Sequence, residues 1–437
     1  MEIKNRKFDY KWVVIAMCFL MVMISLGFTS STKSLFPDEI AKDLEVERSL
    51  VAIGESCRYI TTAIVNLFFG FLVVKFGPKK LICGGFVSLI ASMLLYSFAN
   101  NLIVIYIAGS LLGAGLSFTA TTMVGYIVGT WCSENKGKIM GIVLASNGFG
   151  GAIAVQIVGR MIKPDVIGSY RNAYRLIAIV LAVTLLILLI FLRDKPKDYD
   201  ESAPKKVQKT KKRGQDWVGV EFSDAVHKFY FWGALVCIFF SGLILQGTHG
   251  IVKMHLLDVG IDYSRILNLL SLSSIILVTA KFLTGFVYDK FGLRITATFC
   301  TTIAIITTFI LALIKGDSLG FILAIIYVIV SPYALPLETI MLPIYASDLF
   351  GKKSYPKILG LFVSVNTAGY AVGSPLMNLC YDIFDSYVPG LVLVGGIMVA
   401  ILILLQFVIS AAHKERVKIE AVLASADATA DTEEAKA

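Results

Sequence analysis

The chain has 437 residues, 57% of them hydrophobic and 16% charged, and a net charge of +9. A soluble domain carries about 25% charged residues, so this composition excludes a soluble globular fold. The basic residues sit between apolar runs and form no continuous basic domain, which excludes a nucleic-acid partner and leaves membrane topology as the source of the positive charge.

A membrane span needs about 20 predominantly apolar residues. The first such run, 12–32, is too long for the core of a signal peptide and lacks a small-residue cleavage site, so no cleavable leader is expected. It ends in GFTSSTKSLF, which places Lys33 and Ser34 at its outer end. Lys33 reads either as an anion-capturing or proton-handling group or as an interfacial lysine. In an apolar cavity its ammonium form would be destabilised, so it could release a proton and regain one when a carboxylate binds. The loop that follows is acidic, with Asp38, Glu39, Asp43, Glu45 and Glu47.

The second run, 50–74, carries Glu55 and Arg58 at i, i+3 on one helix face. They are expected to pair with each other or with a partner at an outer gate. The run closes on GFLVVKFGPKK, with Gly70, Lys75 and Gly77. Further runs at 81–99, 102–126, 138–162 and 173–192 complete six spans, and Asn147 lies on the glycine-rich fifth. Residues 193–228 are polar, charged and proline-containing. They form a linker whose KKVQKTKKR cluster lies on anionic lipid or stays solvated.

Six more runs follow, at 229–251, 266–288, 294–314, 320–346, 356–380 and 388–411. His249, Lys253 and His255 end the seventh span; histidine titrates near neutrality, so a coupling role competes with an interfacial one. No third ligand group accompanies them, and no metal or other cofactor is expected. Lys281 lies inside the eighth span with no acid nearby in sequence. An ionisable residue in a span is a functional candidate; Lys281 is a counter-ion for a carboxylate substrate or a snorkelling lysine. GFVYDKFGLR ends this span with Gly285, Asp289, Lys290, Gly292 and Arg294, half a chain after the similar stretch at Gly70. The tenth span is broken by prolines in PYALPLETIMLP, which makes Glu338 a proton-site candidate. Asn366 and Tyr370 on the glycine-rich eleventh span could hydrogen-bond a substrate, or join helices. Residues 412–437 are acidic and alanine-rich and are expected to be disordered.

Long apolar runs without period-two alternation are helices, because lipid leaves backbone polar groups no other partners. The sequence therefore predicts an all-α membrane protein of twelve spans in two pseudo-symmetric halves, 1–192 and 229–411. Lysines and arginines concentrate in the termini, the linker and the loops at Lys75, Lys79, Lys80, Lys352, Lys353 and Lys357. Both termini are thus expected to be cytoplasmic, in a cell membrane. The seven cysteines form no CxxC pair and read as small residues of the membrane core.

The repeated stretch resembles the GxxxD[RK]xG[RK] loop of the major facilitator superfamily. The copy at Gly285 matches well, with Arg294 displaced by one, whereas the copy at Gly70 has Val74 in place of the acid. In that family the turn lets two helices approach and form a charge network that breaks when the halves rock. Within it, four stretches are similar to the monocarboxylate transporters and the oxalate/formate antiporters. They are Lys33-Ser34, LLGAGLSFTA with GTWCSENKGKIMGIVLASNGFGGAI, SYRNAYR, and Lys281 where these families carry a substrate-facing basic residue. Two departures stand out. Gly369 occupies the place of the span-eleven lysine of oxalate carriers, and Leu277 that of an acid one turn before the span-eight base. The resemblance implies a carrier of small, monocarboxylate-like anions by alternating access, either by symport with protons as the coupling ion or by anion exchange. A proton-driven exporter of apolar or cationic compounds would call for an acid-rich cavity, and a carrier-fold sensor for a signalling tail. No catalytic motif for an enzyme is visible.

Overall fold

The computed structural model describes residues 10–132, 136–163, 166–193, 219–351 and 353–434, and among them every regular element is a helix. The basic cluster expected in the linker lies outside the described residues.

The first half contains α1 (Lys11–Thr29), a short half-buried helix α2 (Pro37–Leu44), α3 (Arg48–Phe76), α4 (Pro78–Phe98), α5 (Leu102–Thr119), α6 (Thr121–Trp131), α7 (Lys136–Met161) and α8 (Tyr170–Phe191). After α9 (Phe222–Val226), the second contains α10 (Phe229–Asp258), α11 (Tyr263–Phe291), α12 (Leu293–Leu313) and α13 (Ser318–Val330). It continues through α14 (Pro336–Thr339), α15 (Met341–Phe350), α16 (Tyr355–Phe384) and α17 (Val388–Glu434). Among the described residues, eleven helical runs are long and apolar enough to cross a membrane. The expected eleventh span, α16, is 30 residues long but falls outside that set. Ser364, Asn366, Thr367 and Ser374 dilute its apolar run. With α16 the bundle has twelve crossing helices in two pseudo-symmetric groups of six. Each group surrounds a buried core, one from Val14 to Leu192 that also takes in Leu267 of α11, and the other from Val220 to Ala412.

Three departures from the expected elements have local causes. The fourth span breaks at Ala120, whose extended backbone separates α5 from α6. The tenth divides into α13, a 3-10 turn at Ser331–Tyr333, α14 and α15, as its prolines require. The tail expected to be disordered instead continues α17 to Glu434. From Ala412 to Glu434 it contains no Gly or Pro and many Ala, Glu and Lys, all strong helix formers.

The halves meet where α3 packs on α16, α7 on α11, and the turn Lys33–Leu35 on α10. At the α7–α11 contact, a Cβ on Gly148 would stand 2.6 Å from the Ser274 carbonyl oxygen, so only glycine permits this approach.

Candidate functional site

A cavity of about 540 Å³ lies between the halves. Lys281 (α11), Asn147 (α7), Glu338 (α14), and Asn366 and Tyr370 (α16) line it together, although four separate helices carry them. Thr121, Thr122, Thr339 and Thr367, which the sequence reading missed, add further neutral polar groups. Lys281 makes no hydrogen bond or ion pair among the described residues. Asn147 Oδ1 accepts from Ser31 at 3.4 Å, and Asn366 Nδ2 donates to the Ile238 carbonyl at 3.2 Å. The proline-broken tenth span delivers Glu338 to the cavity wall, and the residue is only 5% exposed.

Gly369 explains one departure noted in the sequence. A side chain there would collide with the Phe239 carbonyl oxygen, because α10 and α16 touch at this point. Packing thus excludes the second lysine, and among the described residues Lys281 is the only basic one in the cavity wall.

Lys33 does not line this cavity. Its Nζ donates to Gln246 Oε1 at 2.7 Å and to the Tyr59 hydroxyl at 3.1 Å, and it stands 4.0 Å from Glu55. A second space of about 40 Å³ lies beside Lys33 and Glu55. Gln246 Nε2 in turn donates to Glu338 Oε2 at 2.9 Å, so a polar chain runs from Lys33 to the cavity wall. Gln246 was missed because the sequence shows only an amide in an apolar run. His255, expected as a coupling group, lies away from the cavity: its Nε2 is 2.8 Å from the Leu311 carbonyl oxygen and its ring packs on Tyr387. It is a buried histidine of the second core, satisfied by α12.

Polar contacts that join the halves gather at the end of the bundle beyond Lys33. Arg48 forms a two-pronged pair with Asp258 at 2.7 and 3.1 Å and stacks 4.0 Å over Tyr381, while Asp38 of its own half holds it from the other side at 2.7 Å. Lys253 pairs with Glu39 at 3.0 Å in full burial. The Ser49 amide donates to Asp382 at 3.1 Å, and the Ser56 hydroxyl donates to the Ala371 carbonyl. Burial alone would raise the Asp38 carboxyl, but Arg48 and Lys42 hold it below the ordinary carboxylate value. Lys253, read as either coupling or interfacial, is therefore a buried cation paired across the two halves. Glu55 and Arg58 take the first of their two expected arrangements. They pair with each other at 2.9 Å, and Arg58 also donates to Ser30 at 2.6 Å, all within the first half.

The two repeated turns lie at the opposite end. Gly77 and Gly292 close them at φ +79° and +81°, where side chains are strained. Gly70 and Gly285 face open space, so they bring no helices together in this conformation. Asp289 makes no ion pair among the described residues. Lys75 lies over Phe71 and Phe76, Lys290 over Phe286 and Phe291, and Arg294 donates to Gln406 at 2.8 Å. Among the described residues, Lys75, Asp289, Lys290 and Arg294 form no ion pair with one another. Gly141, Lys281, Phe282 and Leu359 lie in the parts of α7, α11 and α16 nearer this end, so the cavity extends towards it.

Two helical bundles flanking a largely apolar cavity with a few polar side chains, and ion pairs joining them at one end, give the architecture of a polytopic membrane protein. The family model of the Major Facilitator Superfamily matches residues 17–343, and the chain belongs to that superfamily. An uncharacterized MFS-type transporter, YcxA of Bacillus subtilis, is 27% identical over 291 residues, which cover 65% of this chain and 66% of that protein. The sialic acid transporter NanX of Escherichia coli is 20% identical over 264 residues, covering 58% and 60%. Among solved structures, a mutant of the nucleoside transporter NupG superposes with a TM-score of 0.72 at 12% identity, covering 92% of this chain and all of that one. A bacterial homolog of the human lysosomal transporter Spinster, inward-facing and unoccupied, gives 0.70 at 14% identity, covering 93% and 98%. These structural likenesses speak to the fold.

Proposed function

We propose that this protein is a secondary active transporter of small organic anions of the monocarboxylate kind, working by proton symport or anion exchange through alternating access. The observation that carries the reading is Lys281, a cation in the wall of the central cavity with no ion pair among the described residues. An unpaired lysine in a partly desolvated site is unfavourable, so an anion that neutralises it gains more there than in water. One lysine, with Gly369 barred from being a second, suits one carboxylate. The similarity to a sialic acid transporter agrees, since sialic acid carries a carboxylate.

The halves that rock are 1–192 and 229–411, joined by the linker 193–228. With both termini cytoplasmic in the cell membrane, the sealed end faces outside and the structure is inward-facing. Glu338 and Lys33, linked through Gln246, are the proton-handling pair. Because they sit on opposite halves, a change of protonation at either one acts on the contact that closes the outer side. Uptake of radiolabelled propionate or lactate into proteoliposomes with an imposed pH gradient tests the reading. Lys281→Ala is expected to abolish uptake, and Lys281→Arg to keep part of it, since charge survives with altered geometry. Normal uptake by Lys281→Ala, or a wild type that moves only cations or sugars, would overturn it.

A further inference from the structure

We infer that a basic pocket of the second half, at the end of the bundle that carries the repeated turns, binds the headgroup of an anionic phospholipid from the surrounding bilayer. The inference stands apart from whatever the central cavity carries.

The pocket has a volume of about 550 Å³, inside the ~300–1,000 Å³ of small-molecule sites, and lies between the start of α12, the end of α15 and α17. Arg294, His413, Lys414 and Arg416 line it, together with one acid, Asp348. The two Asp348 oxygens share the Tyr288 hydroxyl, each at 2.9 Å, and Arg416 lies within electrostatic reach of the same carboxylate. Arg294 is held through its Nε by Gln406, a neutral amide that leaves the charge in place. Neither Arg294 nor Lys414 forms an ion pair among the described residues. Two cations that no acid offsets therefore stand in one wall, with His413 beside them, and an anion is what offsets them.

The register of α17 sorts its charges. At 3.6 residues per turn, Ser410, His413, Lys414 and Arg416 fall on one side of the helix. Glu415 falls on the other, where its carboxylate accepts from Lys228 at 2.6 Å. The acid of this segment is thus kept away from the pocket. The same side as Ser410 and Lys414 carries Ile403 and Phe407, 54% and 65% exposed, one and two turns back into the span. Phe291 and Ile295, beside Arg294, are half exposed. An apolar strip therefore runs from within the membrane up to the basic wall. The ninth span is expected to begin at 294 and the twelfth to end at 411, which puts the cations where the hydrocarbon gives way to headgroups. A soluble anion would use the cations and leave the strip idle. A phospholipid uses both, with its phosphate against Arg294 and Lys414 and its chains along Phe407 and Ile403.

The test is native mass spectrometry of the full chain in detergent, titrated with phosphatidylglycerol, with phosphatidylcholine of the same chains, and with glycerol phosphate. Phosphatidylglycerol should bind at least tenfold more tightly than phosphatidylcholine, and glycerol phosphate at equal concentration should not displace it. The double variant Arg294→Gln with Lys414→Gln should bind phosphatidylglycerol about thirtyfold more weakly, the attraction that two basic residues add at a membrane surface. Lys80→Gln with Lys357→Gln removes the same charge from exposed positions outside the pocket and should leave binding as it was. Equal binding of the two lipids by the wild type, a comparison that needs no variant to fold, would overturn the inference. So would an equal loss in both double variants, or undiminished binding in the first, which would place the lipid elsewhere, on the basic cluster of the linker for example. Displacement by glycerol phosphate would assign the pocket to a soluble phosphate and overturn it as well.

Discussion

The outer seal offers the sharpest test of the alternating-access reading, through Lys253→Met. In the structure Lys253 Nζ lies 3.0 Å from Glu39 Oε1 and 3.2 Å from the Leu35 carbonyl oxygen, with the two side chains 0% and 5% exposed. Removing one partner of a buried pair leaves an uncompensated charge, at a cost of about 3–5 kcal/mol. That cost falls on the sealed state alone, because Glu39 meets water once the outer end parts. At about 1.4 kcal/mol per tenfold, the balance moves by roughly two to nearly four powers of ten towards the outward-open state. Spin labels on cysteines introduced at Glu47 and Asp385, exposed positions beside Ser49 and Asp382 on opposite halves, report the separation in a variant lacking native cysteines. The expected result is a growing long-distance population in Lys253→Met, reversed in the double variant Lys253→Met with Glu39→Leu, where no charge is left buried. A distance distribution unchanged from the parent, or a double variant as open as the single one, would refute the reasoning.

Three further outcomes are expected. Gly369→Ala should lower the melting temperature of the solubilised protein, by the 1–3 kcal/mol typical of an overpacked core, because the added carbon meets the Phe239 carbonyl; an unchanged melting temperature would show that α10 and α16 do not touch there. Gln246→Leu should cut pH-driven uptake more than exchange, since it severs Lys33 from Glu338 at both hydrogen bonds; equal loss of both fluxes would deny the relay. For pH, Asp38 has a depressed carboxyl, so its contribution is present above the ordinary value of about 3.9 and is lost only as pH falls through the lower folded value. The seal measured by the same labels should therefore hold from neutrality to about pH 4 and weaken below it, with Asp38→Asn removing that dependence. Opening that begins near pH 6 and survives Asp38→Asn would assign it to another group.

The spans were legible because lipid allows so few solutions: an apolar run of 20 residues is a helix, and its backbone needs no other partner. The break in span ten was legible for the same reason, since proline removes a donor wherever it stands. The break at Ala120 was not, because no proline or glycine at that position announces it. The tail was misjudged by weighing its polarity over its helix propensity. Lys281, Asn147, Glu338, Asn366 and Tyr370 could each be suspected alone, as polar groups in apolar runs. That they share one wall could not be read, because nothing in a linear order fixes which faces of α7, α11, α14 and α16 converge.

The sequence by itself determined the membrane class, the number of crossings, the doubled half and the rarity of cavity cations, all of which follow from composition and period along one helix. Tertiary structure alone decided which ionisable residues face the cavity and which are bound up. Lys33 and Lys253 look alike in sequence to Lys281. The first is held by Tyr59 and Gln246 and the second by Glu39, whereas Lys281 has no hydrogen bond or ion pair among the described residues. His255, a titrating residue on paper, is turned into a core by a carbonyl of α12. The physical reason is that a charge in a membrane protein takes its meaning from its neighbours, and those neighbours come from helices distant in the chain.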